Sequence, residues 1–200
     1  MPVQLTNRAN LLIPSLSLLL LAAQAPAAPQ QQADSLFVLE AVRAVVSPTI
    51  DGAIDEAEWQ AAAIAGDFMQ FQPRVGEPSA VVSQALVMYD STRLYVAFRL
   101  FDSEPPAAQL TRRDAELMND DAVVLLLDSF NDNRTGFFFV TNLLGTQADG
   151  QITNDGRTVD DTWDGTWDSA AQRTEFGWTA EIAIPYTSIG YVAGEDVTWG

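Results

Sequence analysis

The stretch that decides the fold reads VSQALVMYDSTRLYVAFRLF and occupies residues 82–101. Polar or small residues alternate with apolar ones on both sides of Asp90-Ser91-Thr92-Arg93, which has the composition of a turn. A period of two is typical of a strand that buries one of its faces. The segment therefore predicts a β-hairpin.

Similar patterns recur outward from this hairpin. Residues 122–127 are a continuous apolar run of strand length, which we interpret as a central strand covered on both faces. The turn-like residues 131–136 follow, and a strand returns through residues 137–141. A second hairpin is predicted over residues 167–184, whereas helix is confined to residues 55–63. Many short strands separated by turns predict an all-β fold, an antiparallel β-sandwich of the jelly-roll or immunoglobulin-like kind.

Two tryptophans are predicted to belong to the structural core. Trp59 lies in the short helical segment, where a large ring closes one end of the sandwich. Trp178 alternates with aliphatic residues along the last predicted strand, so its ring shares their face. Arg112 and Arg113 precede an acidic stretch and are interpreted as local ion-pair partners.

The N-terminal residues have the layout of a secretory signal peptide. Residues 11–23 are almost wholly apolar, follow Arg8, and precede the small residues Ala25 and Ala27. We predict cleavage after Ala27 and export to the periplasm, the outer membrane or the medium. Residues 28–41 are a flexible lead-in and residues 42–200 one domain, which reads as the first part of a longer protein.

The composition excludes several classes of function. The net charge is −17, and all ten cations are arginine. Such an acidic chain repels nucleic acid, whose binding needs clustered Lys and Arg. The chain contains no Cys, His or Lys, which excludes thiol chemistry, a Ser-His-Asp arrangement and Schiff-base catalysis. Only carboxylates remain as catalysts.

An ordered series of motifs resembles the family 9 carbohydrate-binding modules. The series contains Ile50-Asp51-Gly52 with Trp59, Tyr89-Asp90 with Leu94-Tyr95-Val96, Asp120-Asp121-Ala122-Val123, Asn142-Leu143-Leu144-Gly145 with Gln147, and Gly177-Trp178-Thr179-Ala180-Glu181. The resemblance covers residues 42–200. It implies a β-sandwich that binds sugar, and the most similar subgroup precedes a β-rich, outer-membrane region in bacterial proteins. The partner it implies is a C-terminal domain of the same longer protein.

The candidate ligand contacts concentrate in one polar segment. Sugars are bound by flat aromatic rings together with carboxylates and amides that meet their hydroxyls. Trp163, Asp164 and Trp167 supply that chemistry within residues 160–168. The family-like segments add Asp121, Asn142 and Gln147 as candidate polar contacts.

Two positions depart from the family's sugar clamp. Met118 stands near the place of a clamping tryptophan, and Val140 stands near the place of the accompanying arginine. The second clamping tryptophan would lie after Gly200. The scaffold therefore resembles the family more closely than the clamp does.

The same polar segment is a candidate calcium site, although no required cofactor is predicted. Asp160, Asp161 and Asp164 are clustered, and calcium is bound by carboxylate and carbonyl oxygens. A solvated acidic loop is the alternative, because no segment matches the twelve-residue calcium loop.

Three functions remain open at this point. The prediction is a non-catalytic module that binds a neutral oligo- or polysaccharide. The alternative is an interaction or gating module of an outer-membrane β-barrel protein, without sugar binding. A glycoside hydrolase would need two carboxylates flanking the sugar, such as Asp121 and Asp164.

Overall fold

The computed structural model describes residues 38–54, 57–192, 194 and 197–200, except for the side chain of Met118. The predicted signal peptide, the first two residues of the helix predicted over residues 55–63 and most of the lead-in lie outside the described residues. Ten strands follow in chain order: β1 (Val42–Arg43), β2 (Ala63–Ala65), β3 (Val82–Tyr89), β4 (Arg93–Phe101), β5 (Ala122–Leu127), β6 (Gly136–Asn142), β7 (Gln147–Thr153), β8 (Thr158–Asp160), β9 (Asp168–Thr174) and β10 (Gly177–Pro185).

The strands form two sheets, so the predicted all-β sandwich is confirmed. The first sheet has the order β1-β3-β4-β10-β9, with β2 paired to β3. The second has the order β5-β6-β7-β8. All pairs are antiparallel except β1 with β3. In the described part of the chain, three short 3₁₀ helices interrupt the strands: Ala57–Ala61, Leu117–Asn119 and Tyr186–Ser188. Among the described residues, no helix has the length and apolar character that crossing a membrane requires.

Both predicted hairpins are present. Strands β3 and β4 pair from Val82 opposite Phe101 to Tyr89 opposite Leu94. Strands β9 and β10 pair over the second predicted hairpin. The turn between β3 and β4 is held by Asp90, whose Oδ1 accepts hydrogen bonds from the backbone N–H groups of Thr92 at 2.6 Å and Arg93 at 2.9 Å.

The main core lies between the two sheets. The inward faces of β4 and β10 contribute Val96, Trp178 and Ile182, which are almost fully buried. The facing sheet contributes Phe137 and Phe139 from alternate positions of β6. The ring of Phe138 points the other way and lies over Gly150 on the outer face. This alternation follows from the two-residue repeat of a strand.

Strand β5 was predicted to be central and covered on both faces, and that prediction is wrong. It lies at the edge of the described second sheet. Val123 and Leu127 face the core, but Val124 and Leu126 are 44% and 59% exposed. A continuous apolar run therefore marks the strand here, while its position in the sheet depends on which strands pair beside it.

A second core covers the outer face of the first sheet. Trp59 is 1% exposed and packs with Leu86, Met88 and Tyr95. Its Nε1–H donates a hydrogen bond of 2.7 Å to Oε1 of Glu181, a fully buried residue of β10. The 3₁₀ helix Ala57–Ala61 thus takes the place of the helix predicted over residues 55–63, and Trp59 closes this face.

The Asp51-Gly52 motif is attached to the same glutamate. The backbone N–H groups of Asp51 and Gly52 donate to Oε2 of Glu181 at 3.0 Å and 2.6 Å. Gly52 has φ of +93°, and a Cβ there would lie 2.8 Å from the backbone carbon of Ala171. Only glycine fits both constraints. The motif therefore fixes the N-terminal segment to the first sheet.

Candidate functional site

The loop between β8 and β9 carries Trp163 at the end of the sandwich. Residues 161–167 cross from the second sheet to the first. The Trp163 indole is half-buried, with its ring centroid 5.0 Å from that of Phe137 and 6.2 Å from that of Phe139. A Cβ on Gly165 would clash with it at 2.6 Å, so this glycine lets the loop close over the ring. Trp163 can therefore offer only part of its ring to a ligand.

Trp167 lies in the core, and its predicted role as a ligand contact is wrong. The residue is 5% exposed, and its ring meets Phe139 edge-on at 5.3 Å. It directly precedes β9, where the chain has already entered the space between the sheets. A ring buried there has no face on which a sugar could stack.

Arg113 is the centre of the polar contacts beside this loop. Its Nη2 donates hydrogen bonds to Oδ1 of Asp149 at 2.6 Å and Oδ1 of Asp164 at 2.5 Å. It also lies 3.2 Å from the carbonyl oxygen of Gly165. Its Nη1 donates to Oε1 of Gln147 at 2.5 Å. Gln147 and Asp164, predicted separately as ligand contacts, are thus brought together by an arginine.

The inner partner in this network is a buried carboxyl group. Asp149 is 2% exposed, on the inward face of β7. Burial raises the pKa of Asp149, while the hydrogen bond from the backbone N–H of Gly165 to its Oδ2 and the charge of Arg113 act in the opposite direction. The ion pair with Arg113 therefore offsets only part of the desolvation of this carboxyl group. Arg113 is therefore bonded on one side to the buried Asp149 and on the other to Asp164, whose side chain is 72% exposed.

An open groove of about 320 Å³ runs beside the network. Arg113 and Gln147 form part of its wall, and the rest comes from Thr111 and the β6–β7 turn at residues 144–146. Its lining combines a guanidinium, an amide and a hydroxyl, which can hydrogen-bond the hydroxyl groups of a small polar ligand. Trp163 and Asp164 are not among the residues that line this groove.

Asn142 is a structural residue, and its predicted ligand role is wrong. The side chain is fully buried at the end of β6. Its Oδ1 accepts hydrogen bonds from the backbone N–H groups of Leu144 and Thr146, both at 3.0 Å. Its Nδ2 donates to the carbonyl oxygen of Leu110 at 2.8 Å and to Oδ2 of Asp120 at 2.9 Å. No hydrogen-bonding capacity of this amide remains for a ligand.

Asp121 lies apart from the groove's lining. Its Oδ2 accepts a hydrogen bond from the backbone N–H of Ala107 at 2.6 Å, and its own N–H donates to the Ala107 carbonyl at 2.7 Å. The side chain is exposed and is a local anchor for the segment before β5. Its predicted ligand contact stays a prediction.

The three aspartates predicted as metal ligands do not converge. Within the described ranges, no group of three or more Asp, Glu, His or Cys side chains is placed to hold a metal ion. Asp160 accepts hydrogen bonds from both the hydroxyl and the N–H of Thr162. These bonds lower the pKa of Asp160, and the bond from the hydroxyl contributes most. Asp164 is turned toward Arg113 instead, and Asp161 is exposed. The prediction that Asp160, Asp161 and Asp164 form one set of metal ligands is therefore wrong for these described residues.

Of the two positions that depart from the family's sugar clamp, the structure describes the side chain of Val140 alone. Val140 is 5% exposed within β6, so an apolar side chain fits there. Met118 lies in the 3₁₀ helix Leu117–Asn119, and its side chain is outside the described part of the structure.

Sequence reasoning missed the roles of Arg113 and Asp149. Asp149 was not among the predicted site residues, and Arg113 was interpreted as a local ion-pair partner. The nearest acid in sequence, Asp114, lies 3.7 Å from Arg113 Nε, farther than Asp149 or Asp164. The role of Asp149 becomes visible only from the strand pairing, which places it opposite the buried Phe139, because an inward carboxyl group requires a cation or several donors.

Comparisons with known proteins point to one family. A family model described as "Carbohydrate family 9 binding domain-like" matches residues 50–198. A family 9 carbohydrate-binding module from Caldicellulosiruptor kristjanssonii, solved with cellotriose, is 17% identical with a TM-score of 0.50, over 72% of this chain. This chain spans 65% of the length of that module.

Two further structures share the fold. A module of the same family and organism, solved with glucose, is 16% identical with a TM-score of 0.55, over 79% of this chain and 74% of its own. A proposed carbohydrate-binding protein from Bacteroides uniformis is 11% identical with a TM-score of 0.58, over 80% of this chain and 78% of its own. No curated protein matches this chain significantly.

Proposed function

Because the chain belongs to the carbohydrate family 9 binding domain-like family, we propose that it is a non-catalytic module that binds carbohydrate. The family match over residues 50–198 is the observation that carries this proposal. Support comes from the modules of like fold solved with cellotriose and with glucose. A short β-linked glucan is therefore the first ligand to test.

The proposed binding site is the groove beside Arg113 together with the exposed part of Trp163. Gln147 and Asp164 meet sugar hydroxyls there, and the indole contacts an apolar sugar face. The arrangement is prepared before binding, because Arg113 holds both polar side chains in place. A shallow site with one partly exposed ring buries few atoms, so we expect a dissociation constant of about 10–1000 μM.

The proposal excludes catalysis in this chain on the chemistry of its side chains. The sequence has no His, Cys or Lys. A glycosidase needs one free carboxylic acid and one free carboxylate on either side of the scissile bond. Of the pair Asp121 and Asp164, Asp164 is bonded to Arg113, and Asp121 accepts a hydrogen bond from the backbone N–H of Ala107 outside the lining of the groove. The two carboxyl groups therefore do not offer that pair beside the groove.

We also propose that the protein is exported, because residues 1–27 have the order of basic, apolar and small residues that the signal peptidase reads. These residues lie outside the described part of the structure. Intact-mass analysis of the secreted protein should find an N-terminus near Ala28.

Titration calorimetry against cello-oligosaccharides tests the binding proposal. We expect weak binding that Trp163→Ala and Asp164→Ala each reduce about tenfold or more, without release of reducing ends. Asp164→Ala leaves the ring packing of Trp163 intact, so a binding loss there is separate from a folding defect. Phe71→Ala is the matched control, since Phe71 is an aromatic residue 81% exposed outside the site.

Two results would contradict this proposal. Absence of binding to a broad panel of neutral oligosaccharides would remove the carbohydrate function. Turnover that Asp164→Asn abolishes would instead show an enzyme.

A further inference from the structure

The proposed site is assembled from parts of the chain that are distant in sequence. Arg113, which lines the groove, precedes β5, whereas Trp163 lies in the loop between β8 and β9. A ligand that contacts both parts binds best when they already have one fixed arrangement, because ordering them on binding lowers the affinity. The contacts that join these parts therefore influence how tightly the site binds.

Asp149 is the side chain that joins them from the inward face of β7. Its Oδ1 accepts a hydrogen bond of 2.6 Å from Nη2 of Arg113. Its Oδ2 accepts another of 2.6 Å from the backbone N–H of Gly165, two residues after Trp163. Both bonds are charge-assisted, and the side chain that accepts them is fully buried. Loss of either donor would leave a buried carboxylate oxygen unsatisfied, so both bonds resist breaking.

The other bonds between Arg113 and this loop are weaker restraints. Arg113 also donates to Oδ1 of Asp164 at 2.5 Å and to the carbonyl oxygen of Gly165 at 3.2 Å. The side chain of Asp164 is 72% exposed. An exposed ion pair contributes little, whereas removal of one partner from a buried pair is strongly unfavourable. The buried Asp149 is therefore the main restraint on both parts of the site.

The loop also packs closely around Gly165. A Cβ at this position would lie 2.6 Å from the ring of Trp163 and 3.2 Å from Oδ2 of Asp149. The ring, the Gly165 backbone and the carboxylate thus leave no space between them for a further atom. A change at Asp149 that moves the Gly165 backbone must therefore move the Trp163 ring as well.

We infer, on the basis of the carbohydrate-binding function proposed above, that Asp149 is a positioning residue of this site: it holds Arg113 and the Trp163 loop in the arrangement that binds sugar, without contacting the sugar itself. Asp149→Asn isolates this role, because asparagine has nearly the same volume but one acceptor oxygen and one NH₂ group. Whichever way the amide turns, either Arg113 or the N–H of Gly165 faces a donor instead of an acceptor.

Titration calorimetry with cellotetraose measures the consequence for binding. We expect Asp149→Asn to bind about 5- to 20-fold more weakly than the wild-type protein, because the ligand must then order Arg113 and the loop itself. Trp59→Phe is the matched control, since it weakens the fold from the second core and leaves the groove and the loop unchanged. It should bind with wild-type affinity at a temperature where circular dichroism shows both variants folded.

NMR relaxation provides a readout that needs no ligand. The backbone order parameters of residues 163–165 should be lower in Asp149→Asn than in the wild-type protein, because the loop has lost its buried bond. Those of β10 should stay unchanged. A contribution of Asp149 to stability alone would lower the melting temperature and leave the order of the loop in the folded protein as it was.

Three results would overturn the inference and leave carbohydrate binding in place. They are a folded Asp149→Asn variant that binds cellotetraose within about twofold of wild type, an equal loss of affinity in Trp59→Phe, and unchanged loop order in Asp149→Asn.

If Asp149→Asn does not fold, Gly165→Ala decides, because its Cβ displaces the Trp163 ring while Asp149 keeps its charge. Weaker binding by Gly165→Ala supports the inference, and wild-type affinity overturns it. Absence of sugar binding by the wild-type protein removes the proposed function, and the positioning role with it.

Discussion

The contact between Trp59 and Glu181 makes a quantitative prediction about stability. Glu181 is fully buried, and its two carboxylate oxygens accept hydrogen bonds from the Trp59 indole and from two backbone N–H groups of the Asp51-Gly52 motif. Trp59→Phe removes the indole donor and leaves part of a ring's volume empty. A hydrogen bond to a charged acceptor contributes about 1.5–3 kcal/mol, and a small cavity adds about 1 kcal/mol. The expected loss in the free energy of unfolding is therefore about 2.5–4 kcal/mol.

Glu181→Gln tests the same contact from the other side. Glutamine keeps the volume of glutamate but has one acceptor oxygen and one NH₂ group. Whichever way it turns, either Trp59 or the backbone of Asp51 and Gly52 faces a donor instead of an acceptor. The single substitution also removes a buried charge, so its own effect combines a lost contact with a relieved desolvation.

A double-mutant cycle isolates the contact from these other effects. Urea denaturation of the purified wild-type protein, Trp59→Phe, Glu181→Gln and the double variant should give a coupling energy of about 1–2 kcal/mol. Additive effects, with coupling below about 0.5 kcal/mol, would refute the contact as a source of stability.

Two further predictions concern polar groups elsewhere in the fold. Asn142→Ala should destabilise the protein by about 2–4 kcal/mol in the same denaturation assay, because it leaves the backbone N–H groups of Leu144 and Thr146 without an acceptor and removes a donor from Asp120 and from the Leu110 carbonyl, which keeps its bond from the Thr146 hydroxyl. Asn119→Ala, at an exposed position, should cost less than about 0.5 kcal/mol. The pKa values of Asp120 and Asp132 are lowered, chiefly by hydrogen bonds from the N–H groups of Leu110 and Thr135. The stability that these two carboxylates contribute is therefore present above pH 3.8, the ordinary pKa of aspartate. It is lost as the pH falls through their lower pKa values in the folded protein. The melting temperature should therefore fall as the medium is acidified below pH 3.8, although the raised pKa of Asp149 acts in the opposite direction. A melting temperature that rises on acidification would contradict this account.

The hairpins of this protein were readable from the sequence because their signals are local. The two-residue repeat of residues 82–101 places alternate side chains on opposite faces whatever surrounds the strands. Asp90 caps its turn through neighbours two and three positions away. The family motifs likewise follow one another along the chain and needed no contact map.

The candidate site could be predicted only in part, because its contacts are distant in sequence. Arg113 meets Asp149 and Asp164 across 36 and 51 positions. Nothing near Arg113 in the chain indicates that these acids, and not Asp114, are its main partners. Asn142 similarly has the composition of a surface ligand, and only the folding of residues 110–120 over the end of β6 buries it.

The two tryptophans of the loop before β9 show the division between sequence and tertiary structure. Trp163 and Trp167 are each followed by aspartate, and both lie in a polar segment. Local sequence determined that both would stand near the end of a strand. Tertiary structure decided that Trp167 enters the core against Phe139, while Trp163 stays half-exposed beside Asp164. The physical reason is that burial of a ring depends on the space left between two sheets, whose strands are far apart in the chain.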